Sequence, residues 1–144
     1  MNEDIRWQQR FDNYKRALFF LKQNIVGEPP KEFSEMQDAA IAKAFEVVYD
    51  LCWNLLKDFL EHEGVQIESP APNYVFKKAN GAAIFMQLDV DGQIFMDMVK
   101  SRNKLTHIYN MEMFQEELIK IKDIYSIVFE KIQDFFMKIE EENV

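Results

Sequence analysis

Residues 100–110 read KSRNKLTHIYN and carry three bases, Lys100, Arg102 and Lys104, with no acid among them, followed by His107 and Tyr109. The whole chain has 17 basic and 25 acidic residues and a net charge of −8, so this span stands out against its surroundings. Such a set suits phosphate chemistry. A guanidinium can hold a phosphate or the charge that develops on a phosphorane, an imidazole can move a proton near neutral pH, and Asn103 can orient a substrate. An RNA 2′-hydroxyl that loses its proton to the imidazole can attack the adjacent phosphate. That reaction requires no metal and no cofactor. One histidine is half of the usual acid–base pair, and a twofold axis through a homodimer would supply the other half.

The placement of these residues depends on the helix that carries them. If residues 94–109 form one helix, Asn103 and His107 lie about 100° and about 140° from Arg102, and Tyr109 about 20° from it, two turns on. Phe95, Met98, Val99 and Leu105 then centre their apolar face on Arg102. A guanidinium in that position needs a carboxylate, a phosphate or a wet cleft such as a dimer interface. Two readings follow. In one, Arg102 pairs with a core acid such as Glu46 or Asp50, and His107 merely ends the helix and favours its dipole. In the other, Arg102 and His107 do phosphate chemistry. Lys100 and Lys104 read either as auxiliary phosphate or RNA contacts or as ordinary solvated lysines.

The rest of the chain is patterned as helix. Trp7, Phe11, Tyr14, Leu18, Leu21 and Ile25 are spaced 4-3-4-3-4 and predict a first helix that ends near Gly27, Pro29 and Pro30. From Glu35 to His62 two apolar stripes run side by side, which predicts a central helix covered on two sides. Ser69 as cap and Pro70 at the first helical position open a third helix running through Val75, Ala79, Ala82 and Met86. Asp91 is the candidate cap of the fourth, IFMDMVKSRNK. Phe114, Leu118, Ile121, Tyr125, Val128, Ile132, Phe135 and Ile139 mark the last, before an acidic tail at 140–144 expected to fray. The short connections predict an all-α, antiparallel, up-and-down bundle of about five helices forming a single domain over 1–144. Its surplus Phe and Met could form a homodimer face.

Composition narrows the chemistry further. Hydrophobic residues at 48% and aromatics at 14% describe a folded chain. Its acidity confines any contact with RNA to a local patch. Cys52 is alone and sits in an apolar stripe, so it reads as core in a reducing compartment. Two histidines and one cysteine do not make a zinc site. A calcium loop at Asp89, Asp91 and Gly92 would put Gln87 first and Met98 where the bidentate glutamate belongs, so a turn is expected there instead. Neither a phosphate-binding glycine loop nor a nucleophile elbow is found. The segment MNEDIRWQQRF is unlike a signal peptide and no apolar run is long enough to span a bilayer, so a cytoplasmic location without membrane partners is expected.

Arg102-Asn103-x3-His107 resembles the R-polar-x3-H signature of HEPN domains, and Tyr109 extends it to R-x4-H-x-Y. The longer form is similar to HEPN toxins paired with minimal nucleotidyltransferase antitoxins. The flanks RWQQRFDNYKRAL and DAAIAKAFEVVYDLCWNLLKDFL, and the SP before the third helix, resemble the nucleotidyltransferase substrate-binding proteins over residues 5–140. Phe95, in FMDM, stands where that family's W-x-D-M segment has tryptophan. The resemblance implies a dimer around the R-x4-H helices with a composite cleft, catalytic roles for Arg102, Asn103 and His107, and a cognate minimal nucleotidyltransferase that silences the toxin by adenylylating Tyr109. The function implied is a metal-independent endoribonuclease toxin. The alternative is a non-catalytic subunit that binds substrate or nucleotide phosphate for a separately encoded nucleotidyltransferase.

Overall fold

Apolar residues three and four apart need a common surface to bury them, and the chain meets that need with helices packed side by side. The computed structural model describes residues 2–107 and 110–142, with side chains from residue 6 onward. Helix α1 (Asn2–Val26) buries Trp7, Phe11, Tyr14, Leu18 and Leu21 as the spacing predicts. After a 3-10 turn at Lys31–Phe33, α2 (Ser34–His62) buries both of its stripes, from Ile41 and Phe45 to Phe59 and Leu60. Cys52 lies fully inside, and burial pushes its thiol pKa far up, so it is a core residue. The two helices run antiparallel. Arg10 Nε donates to Asp58 Oδ2 at 2.9 Å near one end of the pair, and Gln37 Nε2 donates to the Asn24 carbonyl near the other. His62, at the end of α2, is half-buried with its ring 6.4 Å from Trp7.

The third segment departs from expectation at both ends. Helix α3 (Pro72–Gly81) starts after an extended Ala71, because the residue before a proline is pushed out of the helical region, and no side chain caps it. Ser69 and Pro70 therefore precede the helix. It ends at Gly81 instead of reaching Met86, where Ala83 turns left-handed at φ 62° and a one-turn helix α4 (Ile84–Gln87) follows. The turn buries Ile84 and Phe85, and Phe85 stacks on Phe95 with ring centroids 4.0 Å apart. That contact offsets the cost of a non-glycine residue at positive φ. Asp91 precedes the cap position, which is Gly92, yet its Oδ1 accepts from the Gln93 backbone at 2.9 Å as α5 (Gln93–Thr106) begins.

The last rod is α6 (Met111–Lys120), a π turn (Ile121–Tyr125) and α7 (Ser126–Glu142) in continuous succession. It starts earlier than its apolar stripe because Asn110 Oδ1 accepts from the Glu112 and Met113 backbones, at 2.8 and 3.4 Å. Past the π turn the predicted Val128 and Ile132 are buried, and the inward face widens toward Phe129. Beyond it Phe129 and Phe136 are fully buried, while the predicted Phe135 and Ile139 are half-buried. Helix α7 runs through part of the acidic tail to Glu142, and residues 143 and 144 lie outside the described residues. It is antiparallel to α1, with Lys22 2.6 Å from Glu130 and the buried Tyr14 hydroxyl donating to the Phe129 carbonyl at 2.7 Å. Four long helices or rods besides α2 thus surround one aromatic core, with no strand among the described residues and α2 at the centre. No helix among the described residues is long and apolar enough to cross a membrane.

Candidate functional site

Helix α5 carries the candidate residues, and its orientation differs from the sequence expectation by one position. Phe95, Met98 and Ser101 face the core, with Leu105 half-buried behind them. Ser101, only 1% exposed, occupies the inward position expected for Arg102. It can do so because its hydroxyl meets the Tyr125 hydroxyl at 2.7 Å, so no polar group is left stranded. Arg102 is consequently half-buried on a flank and needs no buried counter-ion.

The expected pairing of Arg102 with Glu46 or Asp50 is absent. Glu46 is 3.4 Å from Lys43, and among the described residues no carboxylate lies within ion-pair distance of Arg102. Its Nη1 donates to Thr106 Oγ1 at 2.8 Å, one turn along the same helix. Its charge reaches Tyr49 on α2. Burial and the charge of Asp50 push the Tyr49 phenol pKa up, and Arg102 opposes them.

A continuous helix through residue 109 does not form. Helix α5 stops at Thr106, and His107 sits in its cap at φ −125°, ψ 17°, its backbone N–H donating to the Lys104 carbonyl at 2.9 Å. His107 and Asn103 are exposed, and among the described residues no hydrogen bond joins either to Arg102. The three residues share the C-terminal end of α5, though not as the single wheel that the sequence suggested. Tyr109 lies outside the described residues.

Lys100 and Lys104 project from the far side of α5, each about 160° around the helix from Arg102. There they line a cavity of about 290 Å³ with Ser101, Lys120 and Tyr125. Behind it Glu117, 2% exposed, holds Lys120 Nζ at 2.9 Å from Oε2, with Lys104 Nζ at 4.0 Å. Burial pushes the Glu117 carboxyl up. Hydrogen bonds from Ser101 and Lys120 and the charges of Lys120 and Lys104 outweigh it and hold its pKa below the ordinary glutamate value. The Ser101 hydroxyl has one proton and two neighbours. If it accepts from Tyr125, its own proton is free to turn toward Glu117, whose Oε1 has no other formed bond. Tyr125 reads from sequence as core alone, and Glu117, Lys120 and Ser101 carry no motif. The i,i+3 spacing of Glu117 and Lys120 inside an apolar stripe is the signal that could have found them.

A comparison with family profiles matches residues 9–138 to the one described as nucleotidyltransferase substrate binding protein like. The match takes in all of α2 to α6 and most of α1 and α7. No curated protein matches the chain.

Proposed function

Because the chain belongs to the nucleotidyltransferase substrate binding protein like family, we propose that it works beside a nucleotidyltransferase as a HEPN-type, metal-independent endoribonuclease toxin. The observation that supports this best is Arg102. It is a half-buried guanidinium with no carboxylate in ion-pair reach among the described residues, at the same helix end as Asn103 and His107. An unpaired guanidinium is free to hold a phosphate.

In this reading the imidazole of His107 takes the proton of an RNA 2′-hydroxyl, and the 2′-oxygen attacks the adjacent phosphorus. Arg102 stabilises the negative charge on the phosphorane while Asn103 orients the strand. The bond to the 5′-oxygen breaks, and that oxygen takes a proton from the imidazole of a second copy across a homodimer axis. The products are a 2′,3′-cyclic phosphate and a 5′-hydroxyl. Silencing follows if the partner transfers an adenylyl group to the Tyr109 phenol with release of pyrophosphate. The added phosphate would put negative charge two residues beyond His107 and oppose an incoming RNA phosphate.

The second reading, a non-catalytic subunit that binds substrate or nucleotide phosphate, is favoured by the bond from Arg102 to Thr106 in place of any contact with His107. Incubation of purified protein with total tRNA and EDTA separates the two. Cleavage by the wild type, leaving cyclic phosphate ends, with losses of about 10²–10³-fold in Arg102→Ala and about 10²–10⁴-fold in His107→Ala, supports the ribonuclease. No cleavage by any of them, with nucleotide or nucleotidyltransferase binding lost in Arg102→Ala, supports the binding subunit.

A further inference from the structure

We propose that the cavity between α5 and the π turn is a second phosphate site, separate from the Arg102 end of the helix, which takes one phosphate ester group. Three ammonium groups, from Lys100, Lys104 and Lys120, line it, and the Ser101 and Tyr125 hydroxyls lie between them. Among the described residues, Asp97 on the rim is the one carboxylate that lines the cavity itself; Glu117 lies behind it, and the exposed Glu116 also acts on Lys120. Among the charged side chains of the lining itself, three are cations and one is an anion, in a chain whose net charge is −8.

The site is built in advance of any ligand. Glu117 is buried and cannot leave, so it fixes the Lys120 ammonium at 2.9 Å and draws Lys104 to 4.0 Å. Lys100 has no ion-pair partner among the described residues and stands ready for an incoming anion. The π turn brings Lys120 and Tyr125, five residues apart, to the same cavity, and wide turns of this kind recur at functional sites. A volume of about 290 Å³ lies at the lower edge of the range for small-molecule pockets. It suits a single phosphate with a small substituent resting against Ile94 and Ile124, which complete the wall.

The ester could belong to a small phosphorylated molecule or to an RNA backbone. Titration of the full chain with phenyl phosphate, and separately with a short RNA lacking terminal phosphates, distinguishes them by calorimetry. With Arg102→Ala protein, so that the Arg102 end does not contribute, binding of either probe that weakens about tenfold when Lys100→Gln is added supports the site and names its source. Lys100 is exposed and unpaired, so its loss leaves the fold intact. In that background, equal binding of phenol and phenyl phosphate overturns the proposal, as does binding insensitive to Lys100→Gln, or no binding of either probe. Because the readout is binding to a different flank, it can succeed where tRNA cleavage fails, and the reverse.

Discussion

On one flank of α5, Arg102 reaches only Thr106 on its own helix, and Asn103 and His107 are exposed. On the other, Ser101, Tyr125, Glu117, Lys120 and Lys104 link three helical segments through a buried carboxylate and a pair of buried hydroxyls. The first arrangement adds little to the fold, and its groups are free to engage something outside the chain. The second is part of the core, and its lysines face outward only because an internal acid holds them. A polar group can thus be prepared for a ligand in two ways, by being left unpaired or by being held by a partner that cannot move.

The largest stability effect expected from this contrast is at Glu117. Glu117→Ala removes the acceptor of a charge-assisted hydrogen bond and should cost about 1.5–3 kcal/mol, limited by the ability of the part-exposed lysines to return to water. Arg102→Ala should stay within about 0.5 kcal/mol of wild type. Urea unfolding of both variants checks the pair, and equal losses would erase the distinction between the flanks. The pH dependence carries a sign. Because the folded state holds the Glu117 pKa below its ordinary value, its contribution is complete above that ordinary value and declines as pH falls through the depressed one. The gap between wild type and Glu117→Gln should therefore narrow only in acid.

A smaller effect belongs to the hydroxyl pair. Tyr125→Phe and Ser101→Ala each remove one partner of a buried 2.7 Å hydrogen bond, for about 1 kcal/mol apiece. The double variant should cost less than the sum, since neither hydroxyl is then left stranded. Additive losses in a double-mutant cycle would mean that the two groups are satisfied independently, and the buried network would shrink to the Glu117 lysines.

Most of the bundle was legible because it rests on local periodicity. The stripes of α1 and α2 and the Asp91 bond at the start of α5 could all be read from neighbours within a turn or two. What failed depended on distant partners. Arg102 and Ser101 are neighbours in sequence about 100° apart around the helix, and the choice of Ser101 as the inward residue is made by Tyr125, 24 residues away. The 4-3 repeat of the last helix reads straight through the π turn, so the burial of Phe136 over Phe135 leaves no local mark. The basic span drew attention as one cluster, yet a helix divides it. Lys100 and Lys104 go to one side and Arg102 to the other, a consequence of about 100° per residue that was open to inspection. The break after Thr106 was less so, because an unmarked stretch of polar residues can continue a helix or end it.

Asn110 had the chemistry of a cap in plain sight, and its expected effect on cleavage is smaller than that of Arg102. Its Oδ1 accepts from the Glu112 and Met113 backbones, and it lies three residues beyond His107. Asn110→Ala should cost about 1 kcal/mol and lower the unfolding temperature by a few degrees, with Asn110→Asp recovering most of it. The cap also sets where α6 begins, and so the path of the chain just after the Arg102 end of α5. Its loss should lower tRNA cleavage by much less than Arg102→Ala does, with recovery in Asn110→Asp. Phosphate binding beside Lys120, at the opposite end of α6, should not change. A loss of both functions together would mean that α6 couples the two flanks, and that they are not independent sites on one helix.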